Sequence, residues 1–439
     1  MIEMMPFIMF AAICLVLMAG FPVAFSLAGT AMVFAGIGII GGFFDPGFLE
    51  SLPSRIFGTV SNITLIAVPL FVLMGVMLEK SRLAEELLSN MAALFGKQPG
   101  GLGISVILVG MLLAASTGIV GATVVTMGLL SLPTMLNKGY DVRVATGTIC
   151  ATGTLGQIIP PSIALVLLGD TLSTAYQEAQ LSLGVFSPKT VSVGDLFMGA
   201  LVPGLLLVAC YLLYIGAIAL FKPSAAPAAP NIEGVKTVDL IKGLAPPILL
   251  ILLVLGSILS GAATPTEAAG VGALGATLLA GAKGRLNRKT LAEVCQHTLQ
   301  VTCMVFMILI GATIFSLVFR GFGGEAIIEH FFADMPGGVL SAVFVIMVVI
   351  FLLGFILDFI EITFVVVPIV GPILLAMGVD PIWLGIMIAL NLQTSFLTPP
   401  FGFALFYLRG VAPKSVATSD IYKGVLPFIV IQLFMLLML

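Results

Sequence analysis

Gly153-Thr154-Leu155-Gly156-Gln157-Ile158-Ile159-Pro160-Pro161-Ser162 and Asn391-Leu392-Gln393-Thr394-Ser395-Phe396-Leu397-Thr398-Pro399-Pro400 are two polar stretches, each carrying a Pro-Pro pair, inside the long apolar runs 144–172 and 382–408. Proline removes a helix donor and biases the residue before it out of the helical region. Each run therefore reads as a helix broken in mid-course. The surroundings recur at a fixed spacing: Pro133, Gly139, Asp141 and Pro160-Pro161 return as Pro372, Gly378, Asp380 and Pro399-Pro400, all 239 positions later. Gly75 and Pro99-Gly100-Gly101 match Gly311 and Pro336-Gly337-Gly338 at 236 and 237, and Pro22 and Gly29 match Pro265 and Gly272 at 243. The spacing predicts two structural repeats, about 22–172 and about 265–408.

Working outward, the 439 residues are 60% hydrophobic and 9% charged, with a mean hydropathy of +1.22. Soluble domains carry about a quarter charged residues, so the expected class is an all-α polytopic membrane protein. At about 20 residues per span the length allows about ten to twelve crossings plus re-entrant pieces. The N-terminal run carries Glu3 and no Lys or Arg before Gly20, and reads as a retained span rather than a signal peptide. Ordinary spans are expected near 4–20, 22–42, 62–79, 196–221, 244–260, 264–281, 291–319 and 421–439. Two runs are too long for one crossing, 102–136 and 338–377, and are interrupted by Ser116-Thr117-Gly118 and by Asp358-Phe359-Ile360-Glu361. These read as re-entrant helical hairpins. The chain then divides into a first half, 1–221, a cytoplasmic connection, 222–243, that includes the Pro/Ala-rich 223–230, and a second half, 244–439.

Charge position fixes the expected orientation. With Lys283, Arg285, Arg288 and Lys289 on the cytoplasmic side, 15 of the 18 basic residues fall inside and only Arg55, Lys189 and Arg320 outside. Both termini are then periplasmic and the hairpins open to opposite sides, so the repeats are inverted, as in many secondary transporters. The stretch 80–97 has helical spacing of leucines and suits an arm along the cytoplasmic interface. Asp170 falls at a predicted span end and reads as solvated.

In such folds solute and ions bind near mid-membrane, where broken helices leave backbone groups free. The polar residues gather there: Ser116 and Thr117 with Thr152, Thr154, Gln157 and Ser162, and Asp358 and Glu361 with Asn391, Gln393, Thr394, Ser395 and Thr398. We read two ion sites flanking one anion site, with Thr154, Gln157, Ser162 and Gln393 as the anion's candidates. Plainer roles exist for several. Ser116 and Thr117 suit a cap for the returning hairpin arm, Asp358 to Glu361 has capping-box spacing, and Glu267 follows Pro265 at a helix start near the periplasmic interface. Two carboxylates at membrane depth are nevertheless costly unless paired, protonated or wetted, which keeps Asp358 and Glu361 as ion-site or gating candidates.

Other classes lack their residues. There is no phosphate loop of the GxxxxGK[ST] type, so no energy from nucleotide hydrolysis is expected in this chain. Two histidines, His297 and His330, are too few for a histidine-based metal site. The five cysteines sit in apolar runs without CxxC spacing and read as small buried hydrophobes. No nucleophile or acid/base set for a membrane enzyme stands out, no organic cofactor is expected, and neither is a nucleic-acid partner.

The strings Gly156-Gln157-Ile158-Ile159-Pro160-Pro161-Ser162, Pro265-Thr266-Glu267-Ala268-Ala269 and Leu397-Thr398-Pro399-Pro400-Phe401-Gly402 resemble signatures of the large, DctM-like membrane subunit of tripartite ATP-independent periplasmic (TRAP) transporters, a branch of the ion transporter superfamily. The resemblance runs over nearly the whole chain. It implies an elevator mechanism in which hairpins and broken helices form a transport domain moving against a scaffold in the bacterial inner membrane. It also implies sodium coupling, a separate four-helix small membrane subunit, and a periplasmic substrate-binding protein. Carried over, Ser116, Thr117, Gly118, Thr152, Gly153, Gly156 and Pro160 would form one sodium site, and Asp358, Glu361, Asn391, Thr394, Ser395, Thr398 and Pro399 the other. The implied cargo is an organic acid such as a C4-dicarboxylate, 2-oxo acid or lactate. The alternative is a sodium/carboxylate symporter of the same superfamily that needs no binding protein.

Overall fold

The computed structural model describes residues 4–81, 83–228, 237–333 and 335–439. Every regular element among them is a helix. Among the described residues six helices are long and apolar enough to cross a membrane, or seven if Gly47–Val60 and Thr64–Lys80, bent by 50°, are one span. This is fewer than the expected ten to twelve. Prolines and breaks cut several apolar runs into shorter helices, such as Met5–Met18 and Pro381–Leu397.

Chain contacts divide the molecule into two compact units, each drawn from both halves of the sequence: Met1–Leu65, Leu167–Ser192 and Gln300–Gly385; and Ile66–Val166, Val193–Leu299 and Ile386–Leu439.

In the second unit, Gly101–Thr117 and Val120–Asn137 form a helix pair joined by Gly118 and Ile119, where the first hairpin was expected. Gly118 has φ +62°, left-handed backbone that glycine adopts without a Cβ penalty. The chain leaves the pair through Gly139, φ +80°, and enters Val142–Thr154, whose cap Asp141 accepts the Arg143 N–H at 2.8 Å. That helix tightens into a 3-10 turn, Leu155–Gln157, stops over 158–162 and restarts as Ile163–Ser182. The second Pro-Pro stretch also interrupts its helix, which runs Pro381–Leu397 and resumes as Phe403–Val411. Small residues let these helices approach closely: a Cβ on Gly147 would collide with the Gly424 carbonyl of Thr418–Met438, and one on Gly153 with Val124 of the hairpin. The Pro/Ala-rich connection is packed where it is described. Ala226 is buried and its carbonyl accepts the Gly100 N–H at 2.8 Å, while Ala225 accepts the Asp141 N–H at 2.9 Å. The helix Leu83–Phe95 buries Leu87, Leu88, Met91 and Ala92, and its Glu86 accepts from Lys283 at 2.7 Å. Pro265–Ala282 begins with a capping box in which Thr264 and Glu267 exchange bonds, the plainer role expected of Glu267. Thr264→Ala should lower the unfolding temperature by about 1 °C and leave uptake per folded molecule unchanged.

In the first unit, Gly338–Leu353 is followed by a short turn and then by Phe359–Glu361, a π-helical stretch Ile362–Val366, and Val367–Ala376. Gly311 lies against the Ala24 backbone, and Phe44 packs against Phe322 with ring centroids 4.8 Å apart and planes tilted by 57°. Two expectations fail here and along the neighbouring helix. Asp170 is half-buried beside Asn62 rather than solvated, and Ile163–Ser182 continues a further 12 residues beyond it. Cys295 and Cys303 are exposed on Arg288–Gly321 rather than buried. A helix that faces lipid is apolar outside as well as inside, so apolar sequence alone does not mark the core.

Candidate functional site

Within the second unit the first break is enclosed by the first hairpin. The Gly118 tip lies against Ile163, the residue that restarts the broken helix, and a Cβ there would stand 2.8 Å from the Ile163 nitrogen. Gly156 faces Ala114, and Gly110 faces the Thr152 methyl. Gly118 and Gly156 thus lie at the tip, while Thr152 and Gly153 pack against the hairpin arms at Gly110 and Val124. The backbone of Ser116 and Thr117 ends the outgoing helix. Their side chains lie outside the described residues, and the returning arm has Ile119 at its cap with no side-chain cap bond.

The hydroxyls at both breaks are turned onto their own backbone. Thr152 donates to Thr148 at 2.6 Å, Thr154 to Ala151 at 2.8 Å, Ser162 to Gly156 at 2.6 Å, Thr394 to Leu390 at 2.8 Å and Thr398 to Thr394 at 2.7 Å. This spends the single proton of each and leaves oxygen lone pairs able to accept or to face a cation. Thr152, Thr154, Gln157, Ser162, Asn391, Gln393, Thr394 and Ser395 are all buried, and Thr398 and Pro399 are half-buried. The two breaks meet: Gln393 Nε2 donates to Thr154 Oγ1 at 3.3 Å. Gln393 Oε1 and both amide atoms of Gln157 have no hydrogen-bond partner among the described residues. Buried polar groups without partners are rare and costly, so this is where a polar ligand gains most. The sequence did not single out Tyr211 and Gln432, which support the same region: Gln432 Nε2 donates to the Tyr211 hydroxyl at 2.8 Å, and both are fully buried.

In the first unit, Asp358 and Glu361 form the capping box their spacing allowed. Asp358 Oδ1 accepts the Phe359 N–H at 2.7 Å, and Glu361 Oε2 accepts the Asp358 N–H at 3.1 Å. Glu361 is buried, and Thr363 in the π-helical stretch beyond it carries an unpartnered buried hydroxyl. Such stretches recur at functional sites.

The first unit also holds a cavity of about 310 Å³ that sequence reasoning missed. Asn62 Nδ2 donates to both oxygens of Asp170, at 3.1 and 3.0 Å. Arg320 contacts Glu178 at 3.3 Å and Glu325 at 2.9 Å. Burial pushes the Glu325 carboxyl up, against the pull of Arg320. The available signal was Asp170 itself, a carboxylate in an apolar run without a basic residue within a helical turn.

The model of the family described as "Tripartite ATP-independent periplasmic transporter, DctM component" matches residues 7–439. The C4-dicarboxylate TRAP transporter large permease protein DctM of Pseudomonas aeruginosa is 30% identical over 90% of this chain and 88% of its own length. The sialic acid TRAP transporter large permease protein SiaM of Vibrio cholerae is 28% identical over 94% of this chain and 91% of its own. Among solved structures, the Alcanivorax borkumensis YdaH transporter superposes with a TM-score of 0.65 at 14% identity, covering 97% of this chain and 96% of that one, which is a likeness of fold alone. With its broken helices, its buried polar crossing and a family match over nearly its whole length, the chain belongs to the DctM component family of tripartite ATP-independent periplasmic transporters.

Proposed function

We propose that this large permease imports an organic acid across the bacterial inner membrane, driven by sodium, with a separate four-helix membrane subunit and a periplasmic binding protein delivering the cargo. The observation that carries the reading is the Gln393–Thr154 hydrogen bond. Its partners are 239 residues apart, the spacing at which the Pro-Pro motifs recur. Two residues at equivalent repeat positions touch when they lie beside a two-fold pseudo-axis, which supports inverted repeats crossing at their breaks. Gln393 Oε1, at that crossing, and both amide atoms of Gln157, on the 3-10 turn that follows Thr154, are without partners among the described residues, and the Gln157 amide supplies donors and an acceptor for a carboxylate-bearing solute. Hydroxyl and carbonyl oxygens around the first hairpin tip suit sodium, as does the stretch Asn391 to Pro399. Asp358 and Glu361 would join the latter, the capping bonds leaving other lone pairs free. The hairpins and broken helices would move as the transport domain of an elevator, with both chain termini periplasmic.

The relatives are named for C4-dicarboxylate and sialic acid; both are acids, and we assign this chain to a carboxylate of the dicarboxylate, 2-oxo acid or lactate kind. The test is uptake into proteoliposomes containing this chain and its small subunit, with binding protein and an inward sodium gradient each present or absent, over a panel of radiolabelled organic acids. Uptake should require both additions. Undiminished uptake without binding protein would move the chain to the autonomous symporters, and uptake indifferent to sodium would remove the coupling ion.

A further inference from the structure

We infer that the second unit carries a binding site for the phosphate headgroup of an anionic phospholipid. The site is a cavity of about 440 Å³ at the foot of the first broken helix, where Arg143, Lys222 and Lys423 converge from three separate segments. Arg143 is held by Asp420 at 3.2 Å. Asp141 also lines the cavity, and its Oδ1 accepts the Arg143 backbone N–H at 2.8 Å. Lys222 and Lys423 have no ion-pair partner among the described residues. Three cations against Asp141 and Asp420 leave the mouth positive, and the two free ammonium groups are its available donors.

The rest of the wall is apolar. Tyr214, Ile218 and Phe221, from the helix Val193–Phe221, form one side. A free soluble anion gains nothing from such a wall, whereas a lipid has tails to place. The same helix provides a track for them: Leu206, Leu213 and Leu220 recur every seven residues on one face and are 51%, 72% and 80% exposed, and Phe221 at its end is 84% exposed. A seven-residue spacing holds one side of a helix, so an acyl chain can lie along it with the headgroup among the lysines. On the orientation proposed above this end lies at the cytoplasmic leaflet, where anionic lipids meet basic pockets between spans. The lipid-binding test below does not depend on that orientation or on the identity of the transported solute.

The test is native mass spectrometry of the full-length chain released from detergent, with phosphatidylglycerol, phosphatidylcholine or inorganic phosphate added. The wild-type chain should retain phosphatidylglycerol in preference to phosphatidylcholine. The double substitution Lys222→Gln with Lys423→Gln should reduce retention at least about fivefold through loss of two headgroup contacts. Lys222→Arg with Lys423→Arg should restore it, which separates charge from folding. Retention equal in the Gln and wild-type proteins, or equal for the two lipids, would overturn the site. Displacement of phosphatidylglycerol by an equal concentration of inorganic phosphate would also overturn the lipid assignment, leaving a site for soluble anions.

Discussion

Gln157→Leu is expected to raise the unfolding temperature of the purified protein while raising the substrate concentration for half-maximal uptake at least about tenfold, or 1.4 kcal/mol. The two effects have one origin. Gln157 is 2% exposed, and neither its amide oxygen nor its nitrogen has a partner among the described residues. Replacing an unpaired buried polar group by an apolar one of similar shape recovers a penalty of about 1–3 kcal/mol in water-soluble cores. Polar contacts within membranes average nearer 0.6 kcal/mol, so the lower end applies, a shift of about 1 °C for a chain of 439 residues. On the function proposed above, the partner of this amide is the transported solute, which Leu cannot serve. Scanning calorimetry in detergent, beside uptake normalised to folded protein, separates the two. A Leu variant that is less stable yet transports normally per molecule would make Gln157 a structural residue.

The breaks were legible because they are made by residues that act locally. Pro160-Pro161 and Pro399-Pro400 cannot continue a helix wherever they fall, and Gly139 and Gly378, which follow the helix pairs, have φ of +80° and +92°. Asp141 was legible only as a repeat position matching Asp380; that it caps the helix after it is seen in the structure. What depends on a distant partner was not. Asp170 could not announce Asn62, 108 positions away, and a sequence gives no reason for Ile163–Ser182 to continue past a carboxylate until that amide is in place. Cys295 and Cys303 resembled Cys150 in their apolar neighbours, yet Cys150 is buried and the other two are exposed. The same holds at the candidate site. Thr154 and Gln393 were identifiable as polar residues at equivalent breaks, but only packing shows that they bond to one another. The helical pairing of Asp358 with Glu361 was written in their spacing, whereas the π-helical stretch that follows it, Ile362–Val366, was not.

Gly118→Val is expected to reduce uptake per folded molecule by more than about tenfold, and its contrast with Gly139→Ala identifies the reason. Both glycines are left-handed, at φ +62° and +80°, so any Cβ costs about 1–2 kcal/mol of backbone conformation. The space around them differs. At Gly139 the nearest heavy atom to a new Cβ is Pro227 Cγ at 3.7 Å, an ordinary contact. At Gly118 it is the Ile163 nitrogen at 2.8 Å, with the Ile163 Cβ at 3.0 Å, and backbone at the restart of a broken helix cannot rotate away as a flexible side chain could. Overpacking of this kind adds about 1–3 kcal/mol, and the branched Val side chain is stiff about its first torsion. The hairpin tip must then separate from Ile163, and the oxygens around Thr152, Gly156 and Ser162 lose the enclosure that would hold a cation. Gly139→Ala should lose stability by the backbone term alone and retain sodium-dependent uptake. Sodium titrations of uptake in the two variants provide the check: a higher sodium requirement in Gly118→Val is the expected result, and equal losses in both would show that left-handed backbone, rather than closure of the tip on the break, is what these glycines contribute.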